Sequence, residues 1–333
     1  MNGIDKSRIA EAHEPHWQAV WVWVGFLAVF FGVEACAGWT LVHGPVWLLV
    51  PLTLLTAHLM HAHILAFHET GHGTLCRIGW VNDAIGLFIG TLSFQGLTAF
   101  RAVHRTHHHH LGTERDEELW PFVIPTVPRW VRRLTAVYEL ILGITYTPML
   151  CVRTFSRAGS PIRDRAERRR VNYEYAVMAV VWSFILATVA YFHWWTFLLI
   201  LYFVPGTLAG NMHSLRKYTE HMGLMGSSVL GCTRSIVAGG PIGRFVAFSL
   251  FNITYHGVHH RYAKIPQVRL PEFAAMLNPN SEGEQQPYSS YSRALCEMVR
   301  CLYDPRIGSQ WLKSRAPQPD SDPAHVGDPV TSV

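Results

Sequence analysis

Apolar residues run almost unbroken from Trp17 to Val42, with Glu34 as the only charge. The run exceeds the about 20 helical residues that cross a bilayer core. After the turn His43-Gly44-Pro45, a second run from Val46 to Phe67 leads back, with Trp17, Trp21 and Trp47 placed as interfacial anchors. The two predict a helical hairpin. A second hairpin is predicted from Tyr175 to about Tyr191 and from Trp194 to about Ala209, joined at Phe192 and His193. Neither tip carries Lys or Arg, whereas Arg101, Arg105, Arg132, Arg133, Arg153, Arg157, Arg163, Arg165 and Arg168 to Arg170 all lie between the hairpins. The positive-inside rule assigns that segment to the cytosol. The reading is an all-α integral membrane protein with four transmembrane helices in two hairpins, spans at about 17–42, 46–67, 175–191 and 194–209, and both termini cytosolic.

Two shorter apolar stretches, Ala84 to Phe100 and Leu134 to Val152, also rank as spans on hydropathy alone. If one crossed, the basic segment or the histidine clusters described below would be split across the bilayer; if both crossed, the cluster at His104 would be isolated. They are expected to be interfacial or re-entrant helices, the second amphipathic and flanked by Arg132, Arg133 and Arg153. A membrane domain is therefore expected over residues 17–315. The segment 1–16 before it lacks the basic start, short apolar stretch and cleavage site of a signal peptide and is expected to be cytosolic. The Pro-, Asp- and Ser-rich tail at 316–333 is expected to be disordered.

Composition supports the membrane reading: of 333 residues, 49% are hydrophobic and 15% charged, against roughly 25% charged in soluble domains. The net charge of +5 is gathered in Arg132 to Arg170 rather than interleaved with aromatic residues, which argues against a nucleic-acid partner. Cys36, Cys76, Cys151, Cys232, Cys296 and Cys301 include no CxxC pair and are read as buried thiols.

Twenty histidines nearly equal the 23 acidic residues, and three clusters account for the excess: His68-Glu69-Thr70-Gly71-His72, His104-Arg105-Thr106-His107-His108 and His256-Gly257-Val258-His259-His260. Each sits just outside an apolar segment. Helical positions four apart share a face, so His68 with His72, and His104 with His107 or His108, can grip one ion. Eight histidines, with His221 after Glu220 as a ninth candidate, exceed what one ion coordinates and imply two. Zinc suits a closed site of four ligands, while an all-nitrogen site of this size facing lipid fits redox iron better.

With boxes HxxxH, HxxHH and HxxHH in this order, the chain resembles the membrane fatty acid desaturase family over most of its length. Arg216-Lys217-Tyr218-Thr219-Glu220-His221 is similar to the RxxxEH element of bacterial members, and Asn252-Ile253-Thr254-Tyr255-His256 to their NxxYH element. Pro266 and Leu270-Pro271 follow the third box as in many relatives. The resemblance implies a cytosolic histidine-rich di-iron domain with two Fe2+ ions, O2 as co-substrate, and His68, His72, His104, His107, His108, His221, His256, His259 and His260 as ligands. Asn252 is a further candidate, as a distant water-bridged ligand or as a hydrogen bond holding its loop. His109 and His110 extend the second box, but only His107 and His108 complete HxxHH from His104.

Metal-bound imidazoles donate their other N–H to an acceptor. Glu69, Asp116 and Glu220 are candidates for that role, or else solvated or helix-capping charges. His58, His61, His68 and His72 fall on one helical face, with His61 roughly 10 Å deeper than His68. His61 is a candidate for lining a substrate tunnel, against the plainer role of a hydrogen bond to a neighbouring helix; His63 points away and is given no role.

The implied activity is oxygen-dependent desaturation of a long-chain acyl or acyl-like lipid or apolar small molecule. A hydroxylase or ketolase would use the same centre. A membrane metal-binding or transport protein is the reading from another class, but transport calls for histidines through several spans, whereas here they gather at one face. The chain has no GxGxxG opening a helix, no CxxxxCxxC and no HPGG motif, so a separate ferredoxin or cytochrome b5 is expected to supply electrons. The basic segment Arg153 to Arg170 either steers such an acidic partner or simply fixes the topology.

Overall fold

The computed structural model describes residues 6–13 and 17–313. Residues 1–5 and 14–16 of the N-terminal segment, and the tail expected to be disordered, lie outside the described residues. Every regular element described is helical, apart from one bridge between Ile236 and Tyr288. After the short α1 (Lys6–Ala12) comes α2 (Trp17–His43), then α3 (Leu49–His72), α4 (Gly79–Leu92), α5 (Leu97–His109), α6 (Arg129–Ile141), α7 (Gly143–Ser156) and α8 (Arg165–Phe192). The single turn α9 (Trp195–Phe197) runs through a π-helical stretch, Leu198–Phe203, into α10 (Val204–His221). Short helices α11 (Val229–Cys232), α12 (Gly240–Ser249) and α13 (His256–Arg261) precede α14 (Tyr291–Cys301) and α15 (Gln310–Lys313).

Among the described residues, four helical stretches are long and apolar enough to cross a membrane: Trp17–His43, Val46–His72, Arg165–Phe192 and Trp195–His221. Their outward faces are as apolar as their sequences. Trp21 is 66% exposed, Val180 70% and Phe184 73%, while His61, His68, Glu69, Glu174, Glu220 and His221 on the same long helices are buried. That inversion suits a solvent of lipid tails. α2 packs along α3, and α3 along α10; α8 lies against α4 and α5. The helices run past the expected spans: α3 and α10 continue to His72 and His221, which carries the histidines beyond the apolar segments. Pro205 has no N–H for the preceding turn of α10, which gives a local reason for the π-helical widening ahead of it. α7 and α10 meet backbone to backbone at Gly143 and Gly210, where a Cβ on Gly143 would lie 2.2 Å from the Gly210 carbonyl oxygen.

The stretch expected as one helix over 84–100 is two, α4 and α5, bent by 98°. The bend lies at Ser93–Gly96, where Phe94 takes φ 60°. The pair returns to the level where it began: Asn82 Nδ2 near the start of α4 and Arg101 of α5 both donate to the Thr70 carbonyl, at 3.0 and 2.8 Å. Backbone groups freed by such a bend need partners inside an apolar medium. Trp182 Nε1 donates to Thr91 O at 2.9 Å, and Tyr202 OH to Leu92 O. Glu174 on α8 accepts from both the Thr98 N–H, at 2.8 Å, and the Thr98 hydroxyl, at 2.6 Å, and so caps the start of α5. The second stretch, expected over 134–152, likewise breaks at Leu142 into α6 and α7. The cysteines divide: Cys76, Cys151 and Cys232 are buried and Cys301 is half-buried, but Cys36 and Cys296 are exposed, because they fall on outward faces of α2 and α14.

Candidate metal centre

The helices α3, α5 and α10 end on histidines, and these three ends meet. α3 stops just after His72 because Gly73, at φ 75°, turns into the left-handed region and bonds back to the last turn. α5 ends at His107 to His109, and α10 at His221. α13 then lays His256, His259 and His260 against them. The negative ends of three helix dipoles so face one volume, an arrangement that favours a cation.

The histidines form two groups: His68, His72, His104, His108 and His259, and His107, His221, His256 and His260, with the potential ligand atoms of each group all within 4.8 Å of one another. The spacing of HxxHH explains the partition. His104 and His108, four apart, share a helical face, while His107 turns to the other group; His256 and His260 share a face, while His259 crosses over. Each of these boxes therefore serves both groups. The groups touch, with the His108 and His260 rings stacked 4.4 Å apart. His109 stands outside them, its Nδ1 donating to Arg105 O at 2.8 Å.

The ring nitrogens are arranged for a cation. His104 Nε2 lies 2.9 Å from His72 Nε2 and 3.0 Å from His108 Nε2. His256 Nε2 lies 2.8 Å from His221 Nε2 and 3.1 Å from His260 Nε2. On the outer side, His104 Nδ1 donates to Glu118 at 2.7 Å, His107 Nδ1 to Asp116 at 2.9 Å and His221 Nδ1 to the Cys232 carbonyl at 2.9 Å. An ionised carboxylate or a carbonyl only accepts, so these rings carry their protons outside and turn bare Nε2 lone pairs inward. One shared proton relieves one such contact, whereas a cation relieves all of them. His259 is fully buried, and neither of its ring nitrogens has a hydrogen-bond partner among the described residues. Burial, reinforced by neighbouring imidazoles, pushes His256, His259 and His260 well below the ordinary histidine pKa. They are neutral, the state that ligates. Burial works to raise the Glu118 carboxyl, but His107 and His104 beside it hold it well below the usual carboxylate range.

The expected acceptors fare differently. Asp116 meets His107 and also accepts the backbone N–H of Gly112, Glu118 and Leu119, each at 3.1 Å. Glu220 pairs with Arg216 and lies 3.5 Å from His256 Nε2. Glu69 accepts from the Thr74 hydroxyl at 2.9 Å and the Gln267 N–H at 3.0 Å, both through Oε2. Its effect is indirect, because the Gln267 side-chain amide lies 2.8 Å from His68 Nδ1. Turned with its oxygen to the ring, that amide accepts the Nδ1 proton. Asn252 is buried in a left-handed turn at φ 57°, with its N–H bonded to Ala247 O at 2.7 Å and its carbonyl to the Tyr255 N–H at 3.1 Å. Glu118, Gln267 and the Cys232 carbonyl were missed. Glu118 sits in the acidic run Glu114 to Glu118 with nothing local to separate it from its neighbours, and a backbone carbonyl leaves no mark in sequence.

A cavity of about 240 Å³ lies among α2, α3, α4, α7 and α10, lined by apolar side chains such as Leu27, Phe88 and Ile144. It starts at Ile64, one turn before His68. His61 is not among its walls; His63, given no role from the helical wheel, is. α10 packs over the face of α3 that bears His61, whose ring meets His213 edge-on at 5.8 Å, while the opposite face looks into the cavity.

Fold and site together define an integral membrane protein whose histidines are gathered to hold metal at the ends of its apolar helices. The pattern of the fatty acid desaturase family matches residues 45–292, and the chain belongs to that family. It is similar to the fatty acid conjugase FAC2 B of Calendula officinalis, 24% identical with 74% of each chain covered. It is similar also to a fatty acid desaturase of Bacillus subtilis (strain 168), 21% identical over 67% of this chain and 66% of that one. A shorter match links it to the sn-1 oleoyl-lipid 12-desaturase of Picosynechococcus, 24% identical over 38% of this chain and 35% of the relative. The protein is thus an oxidoreductase of desaturase type, and the family implies a lipid substrate.

Proposed function

We propose that the protein is an oxygen-dependent di-iron desaturase that introduces a double bond into a long-chain acyl or acyl-like substrate. The observation that carries this is the pair of histidine groups with bare nitrogens turned inward. His68, His72, His104, His108 and His259 would hold one iron, and His107, His221, His256 and His260 the other, with Asn252 as a distant water-bridged partner. Bound there, iron supplies the redox chemistry with O2 that removes hydrogen from an unactivated C–H bond, which no side chain can attack. The chain's own residues do the rest. Asp116, Glu118 and the Cys232 carbonyl hold the Nδ1 protons and fix the ring planes, while the apolar cavity keeps an acyl chain in place and water out.

The same reading puts both termini and the centre on the cytosolic side, where the arginines between the spans accumulate. Arg163, Arg165 and Arg169 are exposed there and suit an acidic electron donor, a ferredoxin or cytochrome b5.

Comparative mass spectrometry of lipid and metabolite extracts from cells expressing the protein or its His256→Ala variant tests the activity. The expected result is a product lacking two hydrogens in the first and absent from the second. A product with one added oxygen would assign a hydroxylase instead, and purified protein without iron would overturn the di-iron reading.

Glu118 gives a graded test. Glu118→Ala leaves His104 Nδ1 without its acceptor and is expected to weaken iron retention or activity by roughly 10- to 100-fold, while Glu118→Gln, which keeps an acceptor oxygen, falls between. Iron retained against a chelator is the measurement; equal retention in all three proteins would remove Glu118 from the site.

A further inference from the structure

The cavity is too polar in particular places for a plain hydrocarbon. Its walls are apolar apart from a few groups, and some of those are satisfied internally: Ser93 Oγ donates to Ile89 O at 2.8 Å, and Tyr202 OH to Leu92 O. Others are not. Among the described residues, His63 has neither ring nitrogen hydrogen-bonded, Trp23 offers an indole N–H with no acceptor, and His213 Nδ1 has no partner. Behind His213, the Nε2 of His61 is likewise unpartnered. These side chains come from three helices, α2, α3 and α10, and none belongs to the histidine groups of the metal centre. A buried donor or acceptor left without a partner is costly, and several at one cavity wall need a common explanation.

Resting on the reading of this cavity as the acyl-chain site, we infer that the substrate carries a neutral oxygen function, a hydroxyl, ether or carbonyl, along the part of the chain that lies beside His63 and His213. Imidazole both donates and accepts, and indole donates, so a neutral oxygen beside either histidine answers a group that a hydrocarbon leaves without a partner. A carboxylate does not fit, because the buried cations that follow His213 on α10, Arg216 and Lys217, already pair with Glu220 and Glu139. The depth is also defined. His63 precedes His68 by five residues and His213 precedes His221 by eight, which is roughly 8 to 12 Å along the helices. The oxygen therefore sits a fixed distance down the chain from the carbons at the centre, and the protein selects chains by the position of that group.

The test uses the purified full-length protein in detergent, with octadecanoic acid and a series of its monohydroxy isomers as probes and binding followed by calorimetry. One isomer, or two adjacent ones, is expected to bind about tenfold more tightly than the parent acid, the share of one satisfied hydrogen bond. The advantage should vanish in the double variant His63→Leu with His213→Leu and return in part with His213→Gln. Parent acid bound as well by the double variant as by the original protein shows that its cavity is intact. Equal binding of all probes, no binding, or an advantage kept in the double variant would overturn the inference. Histidines that hold only water would give equal binding with a tighter parent acid in the leucine variant, which overturns it too. Iron content measured on the same samples separates the two proposals: iron present without positional preference ends this one alone, and iron absent ends the di-iron reading.

Discussion

His104→Ala is expected to abolish turnover and to lower bound iron from two ions per chain toward one. Its Nε2 stands between those of His72 and His108, at 2.9 and 3.0 Å, and its loss opens the first group at the centre. The second group draws nothing from this ring, so its four histidines remain together. The loss of activity should exceed the roughly 100-fold carried by outer partners such as Glu118. His109→Ala is the matched control. It lies on the same helix turn, stands outside both groups and bonds only to the Arg105 carbonyl. It should leave iron and product unchanged. Iron measured by mass spectrometry of the purified proteins, beside product yield, decides it: two irons retained by the His104 variant would break the partition into two groups.

Lys217→Met is expected to destabilise the fold more than any loss at the protein's surface. Lys217 on α10 pairs with Glu139 on α6, which is fully buried and also accepts from the Tyr218 hydroxyl at 2.7 Å. Removing one partner of a buried pair strands the other charge, at a cost of about 3 to 5 kcal/mol. For a chain of this size that amounts to a drop of about 10 °C in melting temperature. Glu139→Leu added to Lys217→Met removes the stranded charge and should recover most of the loss. Thermal unfolding in detergent reads both variants; a single variant as stable as the original, or a double variant no better than the single, would contradict this account.

The sequence alone determined the four long apolar helices and the clusters of ligating side chains. The paired apolar runs between 17 and 67 and between 175 and 209 argue against water-facing helices, because a helix apolar nearly all round has nowhere to go but lipid or core. The spacing within HxxxH and HxxHH puts ligating nitrogens on defined helical faces before any packing is known. Those signals are local, set by neighbours within one or two turns.

What depended on distance in sequence was decided only by the tertiary structure. The apolar run over 84–100 holds no Pro to mark its break; the bend at Phe94 exists because α8 and the π-helical stretch supply Trp182, Tyr202 and Glu174 to satisfy the backbone it exposes. Glu69 neighbours His68 in sequence yet serves Gln267, while Glu118, 14 residues from His104, reaches its ring because the loop between them folds back. His61 meets a neighbouring helix and His63 the cavity because α10 covered one face of α3 and left the other open. Helical periodicity fixes which side chains share a face. Which neighbour that face meets is a property of the packing, and the acceptors, the cavity wall and the division of nine histidines between two groups all lie on that side of the line.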